Sequence, residues 1–195
     1  MWRDENFVGG HPALDFINTV GDTDKSRADN RLDSPDGLLS WINASGVAKS
    51  DLRPSQADVD ALVQFRELTY HVLSALVRNG IASTNHLRKF EDHTKSAVDR
   101  ATLSVSTAPA LWSATQDPAF HYIDSFALLV EEFLRSPDVG RLRQCERCTW
   151  FFLNSGRGRG RRWCNMSTCG NRHKVAAHRE RRHADARKAN ERAER

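Results

Sequence analysis

Four cysteines constrain this chain more than any other feature. They stand at Cys145, Cys148, Cys164 and Cys169, and no other cysteine occurs among the 195 residues. The pattern is Cys-x2-Cys, then 15 residues, then Cys-x4-Cys. Two close pairs at this separation suit a tetrahedral zinc site built from thiolates. Four thiolates close the coordination sphere, so one structural zinc ion per chain is expected. Three alternatives stay open at this level. Two disulfides satisfy the same count, although nothing in the chain looks secreted. An iron–sulfur cluster also takes four thiolates. His173 stands near enough in sequence to replace Cys169.

Between the pairs run Thr149, Trp150, Phe151 and Phe152, then Gly156, Gly158 and Gly160, then Arg161 to Trp163. This reads as strand, glycine-rich turn and strand, a hairpin between the ligand pairs. A knuckle, a hairpin and a helix carrying the last ligands make a treble clef. The run Cys169-Gly170-Asn171-Arg172 resembles the signature of the CGNR zinc-finger family. The stretch His11-Pro12-Ala13-Leu14-Asp15-Phe16-Ile17-Asn18-Thr19-Val20 resembles that family's N-terminal companion, the ABATE domain. Together the two likenesses span nearly the whole chain. They imply a bacterial transcription regulator of the stress-induced kind, cytoplasmic, with a metal-binding C-terminal module.

Charge is divided unevenly. Residues 1–140 carry 13 Lys/Arg against 20 Asp/Glu, and residues 141–195 carry 16 against 5. A basic module on an acidic body points to an anionic partner, most often nucleic acid. No apolar run approaches the ~20 residues that span a bilayer, and the first residues contain no apolar leader. A cytoplasmic protein with no membrane partner is therefore expected.

The expected fold class is α+β, with an ABATE-like domain of helices and a small antiparallel sheet over 1–136. A treble clef with a basic C-terminal helix follows over 141–195. Residues 7–20 read as a strand, because Pro12 disfavours a helix running through it. Ser34 caps a helix with Pro35 at its first position and Gly46 at its stop. A long helix starts after Pro54-Ser55 and ends at Gly80, and a weaker one runs from Thr84 to about Val98. Residues 102–107 and 111–115 form a hairpin that shares a sheet with the Leu14 strand. A helix covers His121–Arg135 and stops at Ser136-Pro137. Pro137–Gly140 is the domain boundary, and a zinc-free C-terminal module is expected to unfold while residues 1–136 stay folded. Asn171 to about Glu194 is one basic helix rich in alanine.

Two groups of residues invite a function. Arg157, Arg159, Arg161 and Arg162 alternate with glycines between the ligand pairs, and Arg172, Lys174, Arg179 and Arg182 follow on the helix. The loop suits DNA phosphates and the helix suits base edges in a major groove. Read otherwise, the same charge is a solvated face or grips RNA or an acidic protein, making the chain a zinc-stabilised adaptor. Asp15, Asn18 and Thr19 lie within an apolar run. Local capping explains them; so does a lining role in a small-molecule effector pocket. Arg27 and Arg31 read as solvated loop charges. No GxSxG, HExxH or phosphate-loop pattern occurs, and metal-bound cysteines cannot act as nucleophiles, so no catalytic residue is assigned.

Overall fold

A computed structural model describes residues 2–21, 25–47, 51–106, 109–154, 156 and 160–193. Its N-terminal part is built around α3 (Gln56–Val77), which packs against α1 (Pro12–Ile17), α2 (Pro35–Ser45), α4 (Thr84–Arg100) and α5 (His121–Arg135). The core between them holds Phe16, Trp41, Phe65, Phe126 and Phe133, all buried. Phe16 sits 4.5 Å from Phe126 and Trp41 sits 5.6 Å from Phe126, ring centre to ring centre, within the range for favourable aromatic pairs.

The helix boundaries follow local chemistry. The Ser34 hydroxyl accepts from Gly37 N at 3.1 Å with Pro35 at the first helical position, and Gly46 ends α2 with φ of 72°. Ser55 and Asp58 form a reciprocal capping box at the start of α3. Asn79 takes the left-handed conformation after α3, and Gly80 N donates to Ala75 O. Ser83 caps α4, which runs to Arg100; Leu87 on it is exposed.

Two expectations fail here. Residues 12–17 form α1 rather than a strand, with His11 Nδ1 accepting from Ala13 N at 3.1 Å. Pro12 occupies the first helical position, where its missing N–H would have had no partner anyway. Consequently no strand exists near Leu14 to extend the β3 (Thr102–Ser104) and β4 (Leu111–Ser113) hairpin, which stands alone. The other pairs are β1 (Val20–Gly21) with β2 (Asp29–Asn30), and β5 (Leu142–Gln144) with β6 (Phe151–Leu153).

Within the zinc finger, the β5–β6 hairpin corrects the expected place of the strands. Phe151–Leu153 pairs antiparallel with Leu142–Gln144, ahead of the first cysteine, and Arg161–Trp163 forms no strand. The hairpin therefore encloses the first ligand pair. β6 divides two cores. Side chains alternate across a strand, so Phe151 and Leu153 enter the helical core while Phe152 enters the cysteine core. All three are buried. The segment Pro137–Arg141, a 3-10 turn, marks the change in charge, but packing crosses it without a gap.

Candidate metal centre and basic surface

Cys145 and Cys148 sit in the turn joining β5 to β6, Cys164 follows the glycine-rich loop, and Cys169 lies in a wide helical turn, Met166–Gly170, that runs into α6 (Asn171–Ala193). All four are buried, and their sulfurs lie within 4.8 Å of one another. Cys148 Sγ is 3.7 Å from Cys164 Sγ, and Cys164 Sγ is 3.7 Å from Cys169 Sγ. Disulfides need about 2.05 Å. Sulfurs about 2.3 Å from a tetrahedral zinc stand roughly 3.8 Å apart, so the donor set fits that ion. Hydrogen bonds from Cys148 and Cys164 hold Cys145 as a thiolate; those same bonds, with burial, push Cys148 and Cys164 up. A dication removes this competition, because every thiol can then ionise. The backbone N–H groups of Arg147 and Cys164 favour the thiolate form of Cys145, and that of Trp150 favours it at Cys148. Such donors orient thiolates and offset their charge. His173 lies outside the cluster, exposed, with its ring 5.3 Å from Trp163. The fourth ligand is therefore Cys169, and the centre is one structural zinc ion.

The N-terminal polar groups hold this finger in place. Asn18 caps the C-terminus of α1, and its side chain reaches Phe151 on β6. Its Nδ2 donates to Phe151 O at 2.9 Å and its Oδ1 accepts from Phe151 N at 2.8 Å. Asp15 Oδ1 accepts from Gly9 N at 2.8 Å, and Leu153 N donates to Gly9 O at 2.7 Å. Thr19 Oγ1 donates to Phe16 O and accepts from Arg66. All three are buried and bond structural partners, Asp15 and Thr19 to nearby backbone and Asn18 to a strand 133 residues away, which local capping does not describe.

Burial pushes Asp15 up to about 6, against the smaller opposing effect of its bond from Gly9. The folded protein then keeps this proton over a range where the unfolded chain has lost it. Asp15 thus costs nothing below about pH 4, and its penalty is complete above about pH 6. Replacing it by Asn keeps an acceptor for Gly9. Asp15→Asn should gain about 2 kcal/mol over its parent between pH 4 and pH 7, read from urea melts at both pH values.

Arg27 and Arg31 do not behave alike. The Arg27 side chain is 6% exposed. It donates to both oxygens of Glu67, to Ile17 O at 2.9 Å and to Thr149 Oγ1 at 3.2 Å, and covers the Tyr70 ring at 4.0 Å. It ties loop, α1, α3 and finger together, contrary to the solvated reading. Loop position alone could not reveal this, because its partner Glu67 is 40 residues away. Arg31 is exposed, 5.8 Å from the Trp150 ring. It edges a cavity of about 420 Å³ at the seam between body and finger, walled by Glu5, Asp29, Trp150 and Arg172 and by Cys148, Cys164 and Cys169, so that the metal site forms part of it.

The basic residues divide three ways. Arg157 and Arg159 lie outside the described residues. Arg161 is a clasp: it donates to Val8 O at 3.0 Å, Leu153 O at 3.2 Å and Cys164 O at 3.2 Å, and stacks over Phe152. Arg162 pairs with Glu146 and lies beside the Trp163 ring. Gly160, with φ of 66°, packs against Asn154, whose Oδ1 accepts from Gly156 N and Arg161 N and so closes the loop. Arg172, Lys174, Arg179 and Arg182 are exposed on α6, with no ion pair among the described residues. Arg147, between the first two cysteines, joins them on the surface, and sequence reasoning missed it.

Among the described residues no helix is long and apolar enough to cross a membrane. No curated protein matches the chain. Residues 141–182 match the CGNR zinc finger. Residues 10–137 match the ABATE family, described as "Putative stress-induced transcription regulator". With that match spanning more than half its length, and the four-cysteine centre of the accompanying finger in place, the chain belongs to the ABATE family of regulators that carry a CGNR zinc finger.

Proposed function

We propose that this regulator acts by binding duplex DNA through its zinc finger, with α6 as the reading element. The observation that carries this is the setting of α6. From Asn171 to Ala184 every residue except Ala176 and Ala177 is exposed, while the helix start is anchored beside Cys169. Arg172, Arg179 and Arg182 share one side, and Lys174 and Arg181 the other. A helix of about 10 Å diameter fits a major groove, where arginine can bond guanine edges in pairs. Net negative charge on residues 1–140 disfavours DNA contact by the body and turns the finger toward it. In this reading the protein is cytoplasmic, is not an enzyme, and responds to stress through a small ligand sensed by the N-terminal domain. The cleft edged by Arg31, Trp150 and Arg172 supports that sensing better than Asp15, Asn18 and Thr19 do, since those three already have partners.

Anisotropy titrations of labelled duplexes over a salt series test the proposal. If about six phosphates are neutralised, log affinity falls against log salt with a slope of roughly −5. Replacing Arg182 by Ala should change preference between duplexes, because base contacts specify and phosphate contacts do not. Feeble duplex binding, together with tight binding of RNA or an acidic protein, would establish the adaptor instead. Binding indifferent to zinc chelation would reduce the helix to a polycation and overturn the reading.

A further inference from the structure

Between the first knuckle and the start of α6 lies a cleft of about 480 Å³. Arg147 enters from the turn between Cys145 and Cys148. Arg172 and Arg179 enter from α6, and Ser167, Thr168 and Asn171 form part of the wall. We infer that this cleft is a phosphate seat, with Arg147 as a binding residue supplied by the knuckle rather than by the helix.

Three arginines from two separate elements line one concavity. Arg147, Arg172 and Arg179 are all exposed and none is in an ion pair among the described residues, so their donors remain for a ligand. Arg162, by contrast, is spent on Glu146, and Arg161 on carbonyls. The rest of the wall is Ser167, Thr168 and Asn171 with the apolar Val175 and Ala176. The Thr168 side chain is exposed without a hydrogen bond to a described residue, while the Ser167 hydroxyl already donates to Asn165 Oδ1 and Asn171 Nδ2 to Ser167 O. Those bonds hold the wall rigid and leave the arginines and Thr168 to receive oxygens. Zinc with four thiolates is doubly negative, which works against an anion nearby. Two arginines balance that charge, and the third leaves a surplus. Planar guanidinium forks match phosphate oxygens in pairs, so three around one cleft select phosphate over chloride. No acidic residue lines this cleft, unlike the seam cleft with Glu5 and Asp29.

Arg147 is none of the four metal ligands, so replacing its side chain leaves the cysteine cluster in place. The phosphate can be a strand of nucleic acid or a free anion. The first source rests on the proposed DNA binding, and the test separates the two.

Full-length, zinc-loaded protein is titrated with labelled duplex over a salt series and, separately, with inorganic phosphate followed by amide ¹H–¹⁵N shifts. Loss of one phosphate contact should flatten the salt slope by about one and weaken binding about eightfold at 0.1 M salt, equally for all sequences. Arg147→Ala is expected to do this. Arg147→Lys should restore most of the slope, and Arg88→Ala, removing an exposed charge on α4, should change affinity less than twofold. Inorganic phosphate should move the amides of Arg147, Thr168 and Asn171 in the parent and not in Arg147→Ala. If duplex binding fails but phosphate moves those amides, the seat stands for a free anion and the DNA reading falls. If Arg147→Ala binds duplex like its parent and phosphate leaves these amides unmoved, the seat is overturned while DNA binding survives.

Discussion

Removing zinc should unfold the whole protein in one transition rather than melt a separate finger. Zinc-finger peptides gain about 10–16 kcal/mol on binding the ion. A domain's total stability is about 5–15 kcal/mol, so the loss exceeds what remains. In a two-module chain that loss would stay in residues 141–195. Here it cannot, because Phe151 and Leu153 belong to the helical core while Phe152, between them, packs on the cysteines. If the knuckle opens, β6 leaves, Asn18 loses both bonds to Phe151, and Thr149 no longer meets Arg27. The sequence reading, with its boundary at Pro137–Gly140, instead expects residues 1–136 to stay folded. Cys148→Ser, or chelation of the parent, decides between these by helix signal at 222 nm and near-ultraviolet tryptophan signal on heating. Coincident collapse of both is the expected result. A helix signal that melts unchanged would mean that the body needs nothing from the finger.

The second large effect should come from Glu67. Its two oxygens serve Arg66 Nε at 2.8 Å, Arg27 Nε at 2.7 Å and Arg27 Nη2 at 3.1 Å. The Arg66 side chain is 2% exposed, and its remaining donors reach Thr19 and Asn30. Burial pushes Glu67 up, but the two guanidinium groups outweigh it and hold its carboxyl below the usual range. With the folded value depressed, this stabilisation is present above the ordinary glutamate range and disappears only as pH falls through the lower folded value. Glu67→Ala leaves two buried like charges side by side. Breaking such a set typically costs about 3–5 kcal/mol. At about 2–4 °C per kcal/mol for a chain of this size, the melting temperature should fall by about 10 °C. Arg27→Met should cost less, because the Arg66–Glu67 pair survives. Equal melting of Glu67→Ala and parent would show that water already satisfies the cluster.

What could be read beforehand was local or repeated. Four cysteines at fixed spacing announce a metal whatever the fold around them. Ser34-Pro35 and Ser55 with Asp58 start helices because a cap needs only its own next few residues. Pro12 misled because the same residue forbids a helix interior and favours a helix start; the difference lay in His11, whose ring acts as the cap. The partner of β6 was misplaced because the glycines suggest a turn back into Arg161-Arg162-Trp163, while the true partner, Leu142-Arg143-Gln144, precedes the cysteines and has one apolar residue. Arg27, Arg66 and Arg161 look like surface charges in the sequence. Each has a partner distant in sequence: Glu67 lies 40 residues from Arg27, Thr19 lies 47 from Arg66, and Val8 lies 153 from Arg161. Arg147 is a variable letter between two cysteines, and only the folded knuckle turns it toward α6.

The unbroken passage from the turn of Cys169 into α6 has a mechanical consequence. A helix of 23 residues is about 34 Å long at 1.5 Å per residue. Its start is held by the turn that carries the last ligand and by Asn171 Nδ2 bonding Ser167 O. The arrangement is a lever with its pivot at the metal. A tilt of roughly 10° at the pivot swings the far end by about 6 Å, close to two base-pair rises of B-DNA. A ligand settling in the seam cleft, where Arg172 and Thr168 form part of the wall, would press on the short arm. If α6 reads a groove as proposed, such a tilt would carry the far end out of register with it and leave the helical body unchanged.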